Sequence, residues 1–137
     1  MFIVTPLIAA ILPFILWPLE QILPYPAVVE EFAKAVTIFF SKKNEVSYNP
    51  FITGLCIGIL FSISESILYL FNIVRVGNTA SFILRLFLTI PLHVTSSLII
   101  AYSFRKGRKG VILGVTASIL LHHGYNLAIP QFVLLFT

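Results

Sequence analysis

The sequence predicts an all-α membrane protein, a polytopic transmembrane helical bundle of about five membrane segments forming one domain over residues 1–137. Three observations carry this expectation. Hydrophobic residues make up 58% of the chain, charged residues 10%, and mean hydropathy is +1.01, which leaves too little polarity to clothe a soluble domain. The apolar residues fall in continuous runs instead of alternating every second residue, which argues against a transmembrane barrel. A bilayer also offers no water to open backbone groups, so runs of this kind close their hydrogen bonds within helices.

Segment one, Phe2 to about Leu23, is interrupted by Pro6, Pro13 and Pro18 and is therefore kinked or partly interfacial. It lacks a basic leader and a small-residue cleavage site, and reads as a retained membrane segment. After the Pro24-Tyr25-Pro26 turn, segment two runs from about Ala27 to Phe40, only roughly 21 Å as a helix. Segments three (Pro50 to Phe71) and four (Ser81 to Tyr102) are each long enough for a ~30 Å hydrocarbon core. Segment five begins at Gly110 and reaches about Leu127, with Pro130 and a short apolar tail after it. The set is four long or re-entrant spans plus the proline-interrupted first. Loops are expected at 41–49, at 72–80 around Gly77 and Asn78, and at 103–109. Cys56, the single cysteine, reads as a small buried hydrophobe.

The net charge of +4 is a statement about topology and calls for no nucleic-acid partner. Lys42 and Lys43 lie in the loop after segment two. Arg105, Lys106, Arg108 and Lys109 lie in the loop after segment four, and the loop between carries only Arg75. By the positive-inside rule the expectation is a multi-pass protein of the cell membrane with its N-terminus cytoplasmic and its C-terminus outside.

The polar exceptions carry the functional information. Glu30, Glu31 and Lys34 open segment two, Glu65 lies in segment three, Arg85 and His93 in segment four, and His122, His123 and Asn126 in segment five. An ionisable residue near the middle of a span costs about 2.5–3.5 kcal/mol on insertion scales and faces a partner or a cavity. At ~1.5 Å per residue Glu30, Arg85 and Asn126 lie roughly 6 Å below the outer boundary, Glu65 roughly 9 Å, His122 roughly 12 Å and His93 roughly 18 Å. Four helices thus bring them to one depth, in the outer half to the midplane. Glu30 and Lys34 are i, i+4 and are expected to pair, and His122 and Asn126 share a face in the same way.

Each residue also has a plainer reading. Glu30 with Lys34 makes a structural ion pair, Arg85 snorkels to the interface, and His93 or His123 is a satisfied interior histidine. His123 fits that last reading best, because it points about 100° from His122. Ser62, Ser64, Ser66, Ser96 and Ser97 suit helix packing. No single plain reading covers the whole set. A carboxylate near a second acid or a histidine can activate water against a peptide carbonyl, and a His/Asn pair can stabilise the oxyanion. The same glutamates and histidines could bind a cation, although no H-E-x-x-H helix is present.

At this point the order of motifs resembles the PrsW-type intramembrane proteases. Glu30-Glu31-Phe32-Ala33-Lys34 is similar to their EExxK motif and Phe61 to Glu65 to their FxxxE motif. Arg85 with His93 resembles their Arg…His segment, and His122 to Asn126 their HxxxN element. Their wider superfamily includes the type II CAAX prenyl endopeptidases and the abortive-infection membrane proteins. The resemblance implies a glutamic intramembrane endopeptidase acting near the outer leaflet on a membrane-anchored protein, of the anti-sigma-factor type, without metal or organic cofactor. Glu30 would be the base that activates water, Glu31 its support, and Glu65 the residue holding the water. His93 would supply a neighbouring imidazole, His122 and Asn126 the oxyanion pair, and Lys34 and Arg85 the cations that hold the carboxylates. The expected partners are membrane lipid, the protein substrate and, for so short a chain, a second copy of itself in a homo-oligomer. The competing readings are a proton- or cation-coupled transporter or channel using a carboxylate–histidine relay, and a non-catalytic membrane scaffold.

Overall fold

Proline sets the helix boundaries at one end of the molecule. Pro26 and Pro50 each stand first in a helix, where the missing N–H is no loss and the fixed φ suits the turn. The computed structural model describes residues 4–44, 48–76 and 79–134, and the side chains of 71–82, 84, 85 and 130–134 lie outside that description. Within it the helices are α1 (Val4–Glu20), α2 (Pro26–Asn44), α3 (Pro50–Val76), α4 (Thr79–Ser103) and α5 (Gly107–Leu134). The all-helical expectation therefore holds, and no strand occurs among the described residues.

The boundaries differ from the sequence expectation in several places, and most of the expected 72–80 loop is helix, with α3 running on through Arg75 to Val76 and α4 starting at Thr79. The expected loop at 103–109 is a single 3-10 turn, Phe104–Lys106, and α5 has already begun at Gly107, whose φ of 74° reverses the chain where a side chain would be strained. Segment five does not stop before Pro130 but continues to Leu134. Pro13 and Pro18 likewise sit inside α1 and Pro91 inside α4, which neighbouring helices make tolerable in lipid. Segment two gains a further turn, to Asn44. Among the described residues two stretches are long and apolar enough to cross a membrane, Pro50–Leu70 and the 44-residue Leu86–Ile129, which takes in much of α4 and α5. The apolar α1 is shorter.

Packing is built on α3 and α4, which run antiparallel. A Cβ on Gly54 would lie 2.9 Å from Leu98 Cα, and one on Gly58 2.5 Å from Val94 Cα and 2.7 Å from His93 O. This Gly-x-x-x-Gly face lets two backbones touch, as small residues do between membrane helices. α1 lies on α3 and α2, burying Thr5, Ala9, Pro13 and Leu16 along one stripe. α2 and α5 close the bundle against α4, where Ser118 Oγ donates to Ser96 O at 3.1 Å.

The interior has two tiers. An apolar tier of Ala35, Ile38, Ile57, Ile100, Ala101 and Val115 fills the half toward the basic turns. There Lys42 Nζ donates to Phe104 O at 2.7 Å and Tyr48 Oη donates to Ala101 O at 2.8 Å, so both basic stretches lie at the same end. The second tier is polar and buried, while Ile22 (80% exposed), Phe87 (71%) and Leu113 (71%) point outward. Polar inside and apolar outside is the arrangement lipid rewards.

Candidate active site

α2 delivers three of the site residues from its first turns. Glu31 and Lys34 are fully buried and Glu30 nearly so. The expected Glu30–Lys34 pair does not form. Lys34 Nζ binds Glu31 Oε1 at 2.7 Å, three residues back on the same face. Its other neighbours are His93 Nδ1 at 2.6 Å and Ser96 Oγ at 3.3 Å from α4, with the Phe61 ring of α3 at 4.5 Å. An ammonium has three donors and no acceptor, and here each donor has a partner. Glu31 is the partner because His122 of α5 also reaches it, with Nδ1 at 2.8 Å from the same Oε1.

These contacts assign the tautomers. Facing an ammonium, His93 Nδ1 must accept, so its proton sits on Nε2 and is donated to Glu65 Oε2 of α3. His122 donates from Nδ1 to the Glu31 carboxylate, which leaves Nε2 as a bare acceptor. That nitrogen lies 3.8 Å from Glu30 Oε2, beyond hydrogen-bond reach, and Glu30 Oε2 has no hydrogen-bond partner although buried. The rings of His93 and His122 meet edge to face at 5.1 Å, and Phe61 packs on His93 at 5.2 Å. One connected network thus joins α2, α3, α4 and α5, and its loose end is Glu30.

Beside Glu30 lies a small cavity, about 20 Å³ in volume, lined by Glu20, Glu30 and Glu65 with Pro13, Trp17 and Tyr69 among its walls. A polar cavity of ~10–15 Å³ or more on this measure holds a water molecule. Glu20, the last residue of α1, was not singled out by sequence reasoning. The available signal was a lone acid ending an otherwise apolar, proline-containing run.

The remaining expected residues divide. Asn126, one turn beyond His122, is half-buried and makes no hydrogen bond to the cluster among the described residues. Arg85 lies on α4 eight residues before His93, but its side chain is outside the described residues, as is that of Arg75. His123, expected to be a satisfied interior histidine, is instead exposed, turned about 100° away from the buried His122. Ser96 was expected only to pack, and its hydroxyl also contacts Lys34. Along the helices, His93 stands ten residues from the end of α4 and Lys34 ten from the end of α2, about 15 Å from the basic end.

One donor set could be offered to a cation. Atoms of Glu30, His93 and His122 lie within 4.8 Å of one another. Glu30 Oε2 and His122 Nε2 are open, but both ring nitrogens of His93 are committed, one to an ammonium and one to Glu65. With two free donors and a lysine cation in the same cluster, this arrangement does not fit a three-ligand metal site.

Neither a curated protein nor a solved structure matches the chain. The family model described as PrsW family intramembrane metalloprotease matches residues 22–136, a span that contains the whole cluster from Glu30 to Asn126. The chain therefore belongs to the PrsW family of membrane-embedded peptidases.

Proposed function

We propose that this protein is an intramembrane endopeptidase in which a glutamate, Glu30, activates water to hydrolyse a peptide bond of a membrane-anchored protein substrate. The observation that carries the reading is the unpartnered, buried Glu30 Oε2 at the wall of a one-water cavity that it shares with Glu65. Glu31 Oε2 is unpartnered too, but that carboxylate is held through Oε1 by both Lys34 and His122 and does not line the cavity. A base for water must have a lone pair that nothing else occupies.

In this scheme the cavity water binds Glu30 and Glu65. Its oxygen bonds to the peptide carbonyl carbon while its proton passes to Glu30. Collapse of the tetrahedral intermediate breaks the C–N bond, and Glu30 returns the proton to the amine nitrogen. Lys34 holds Glu31, Glu31 orients His122, and the His93 N–H holds Glu65. His122, whose Nδ1 donates to Glu31, presents an acceptor at Nε2 and acts by position beside Glu30 instead of donating to the oxyanion. Asn126, one turn beyond His122, is the neutral donor proposed for the oxyanion.

The family description implies a metal, and the fit fails at His93, so no step runs through one. The motif order further supports a place beside the type II CAAX prenyl endopeptidases. For orientation, both basic stretches lie at one end, which supports a cytoplasmic location for that end and a site toward the outer half. Five membrane segments, with α1 and α2 entering alongside the longer three, and an anti-sigma-factor-type substrate complete the proposal.

The test is cleavage of a single-span membrane peptide library by reconstituted protein, wild type against Glu30→Gln, with and without a chelator. Product from the wild type in chelator, falling about 10²–10⁴-fold in Glu30→Gln, is the expected result. Activity abolished by the chelator and restored by zinc overturns the glutamate mechanism. Ion flux without product overturns the peptidase.

A further inference from the structure

A furrow on the outside of the bundle runs between α2 and α5. Lys42, Lys43 and Arg108 stand at its mouth with the rings of Phe39 and Phe104, and its floor continues through Val111 and Ile112 to Phe32 and Ile119. The mouth encloses about 460 Å³ and the continuation about 400 Å³, and the two share Phe39, Phe104, Val111 and Ile112. They are one groove, charged at one end and apolar along the rest.

Its length is informative. From Lys43 to Phe32 on α2, and from Arg108 to Ile119 on α5, the groove covers twelve residues, or ~16 Å of helix from first to last. That is about half of a ~30 Å hydrocarbon core, the depth of one leaflet. A membrane-spanning substrate helix would need the other half as well, and with side chains it is ~10–12 Å wide. A lipid acyl chain, slimmer than a helix and one leaflet long, suits a groove of this length. The charge at the mouth selects the headgroup. Six basic residues gather at this end of the bundle, and none of the described carboxylates lies with them. Lys42 is committed to Phe104 O and Arg105 lies 5.9 Å from the Tyr102 ring, whereas Lys43 and Arg108 are exposed and have no ion pair among the described residues.

We propose that the α2–α5 groove binds one anionic phospholipid of the leaflet at the basic end, its phosphate between Lys43 and Arg108 and an acyl chain along the floor. Anionic headgroups gain from basic pockets between membrane helices in this way. The site is separate from the carboxylate–histidine cluster and does not depend on the reaction assigned to it.

The experiment is native mass spectrometry of delipidated full-length protein in neutral detergent, offered equal amounts of phosphatidylglycerol and phosphatidylcholine. Phosphatidylglycerol is expected to be retained in preference, with the ratio falling about five-fold for each of Lys43→Gln and Arg108→Gln. Ile112→Trp, at a 60% exposed position in the floor, is expected to reduce retention of both lipids while leaving the melting temperature unchanged. Equal retention of the two lipids by the wild type overturns the proposal. So does a ratio indifferent to the two charge variants. Retention that Ile112→Trp leaves intact, or displacement of the lipid by a single-span peptide, shows that the groove is not an acyl-chain site.

Discussion

Lys34→Met separates a site held together by charge from one held by packing. Lys34 is fully buried, and its ammonium contacts Glu31 at 2.7 Å, His93 Nδ1 at 2.6 Å and Ser96 Oγ at 3.3 Å. Methionine has a similar volume and still fills the space over Phe61, so the change removes charge more than bulk. Glu31 would remain buried with His122 as its one other partner among the described residues. Removing one member of a buried ion pair costs about 3–5 kcal/mol, because the other charge is left uncompensated. The assay is reversible unfolding in mixed micelles of wild type, Lys34→Met, Glu31→Gln and the double variant. Each single variant is expected to lose about 3–5 kcal/mol, and the double variant much less than the sum, a coupling of about 2 kcal/mol or more. A loss below about 1 kcal/mol for Lys34→Met, or additive single losses, would refute the claim that the ammonium organises the cluster.

Other consequences are read by different means. Nitrogen-15 spectra of labelled histidine should place the His93 proton on Nε2 and the His122 proton on Nδ1, and the reverse assignment of either would remove the tautomer argument. Gly58→Ala puts a Cβ 2.5 Å from Val94 Cα and 2.7 Å from His93 O; a loss of about 1–3 kcal/mol with reduced turnover is expected. Gly124→Ala meets nothing within 4 Å and should be neutral or stabilising by up to about 1 kcal/mol in the same unfolding assay. Glu20→Gln keeps the cavity wall polar and should lower kcat by at most about 10²-fold, less than Glu30→Gln, with KM little changed.

Much of this was legible in the sequence because membrane helices advertise themselves by what they exclude. Continuous apolar runs located α3 and α4 to within a few residues, and the rarity of charge made Glu30, Glu31, Lys34, Glu65, His93 and His122 conspicuous. Depth counted along each run was enough to bring four helices to one level. Pairing was less accessible. Spacing along α2 allows Lys34 either Glu30 or Glu31, and the choice falls to Glu31 because His122 and His93 arrive from α5 and α4 on that side. No pattern within one helix contains that information. Glu20 escaped notice for a related reason, since its closeness to Glu65 and Glu30 comes from the way α1 lies on α3. Pro130 misled on one boundary, because rules learned in water treat proline as a stop while α5 runs through it to Leu134.

The polar tier also bears on how such a chain gets into a membrane. α2 contains Glu30, Glu31 and Lys34 within five residues, and it is not among the stretches apolar enough to cross unaided. Its polar groups are met by side chains from α4 and α5, which leave the ribosome after it. On the five-segment reading proposed above, α2 would wait, at the interface or inside the insertion machinery, until its later partners emerge. Completion of the site and completion of insertion become the same event, so a variant that cannot form the network should be seen first by quality control as an unfinished membrane protein.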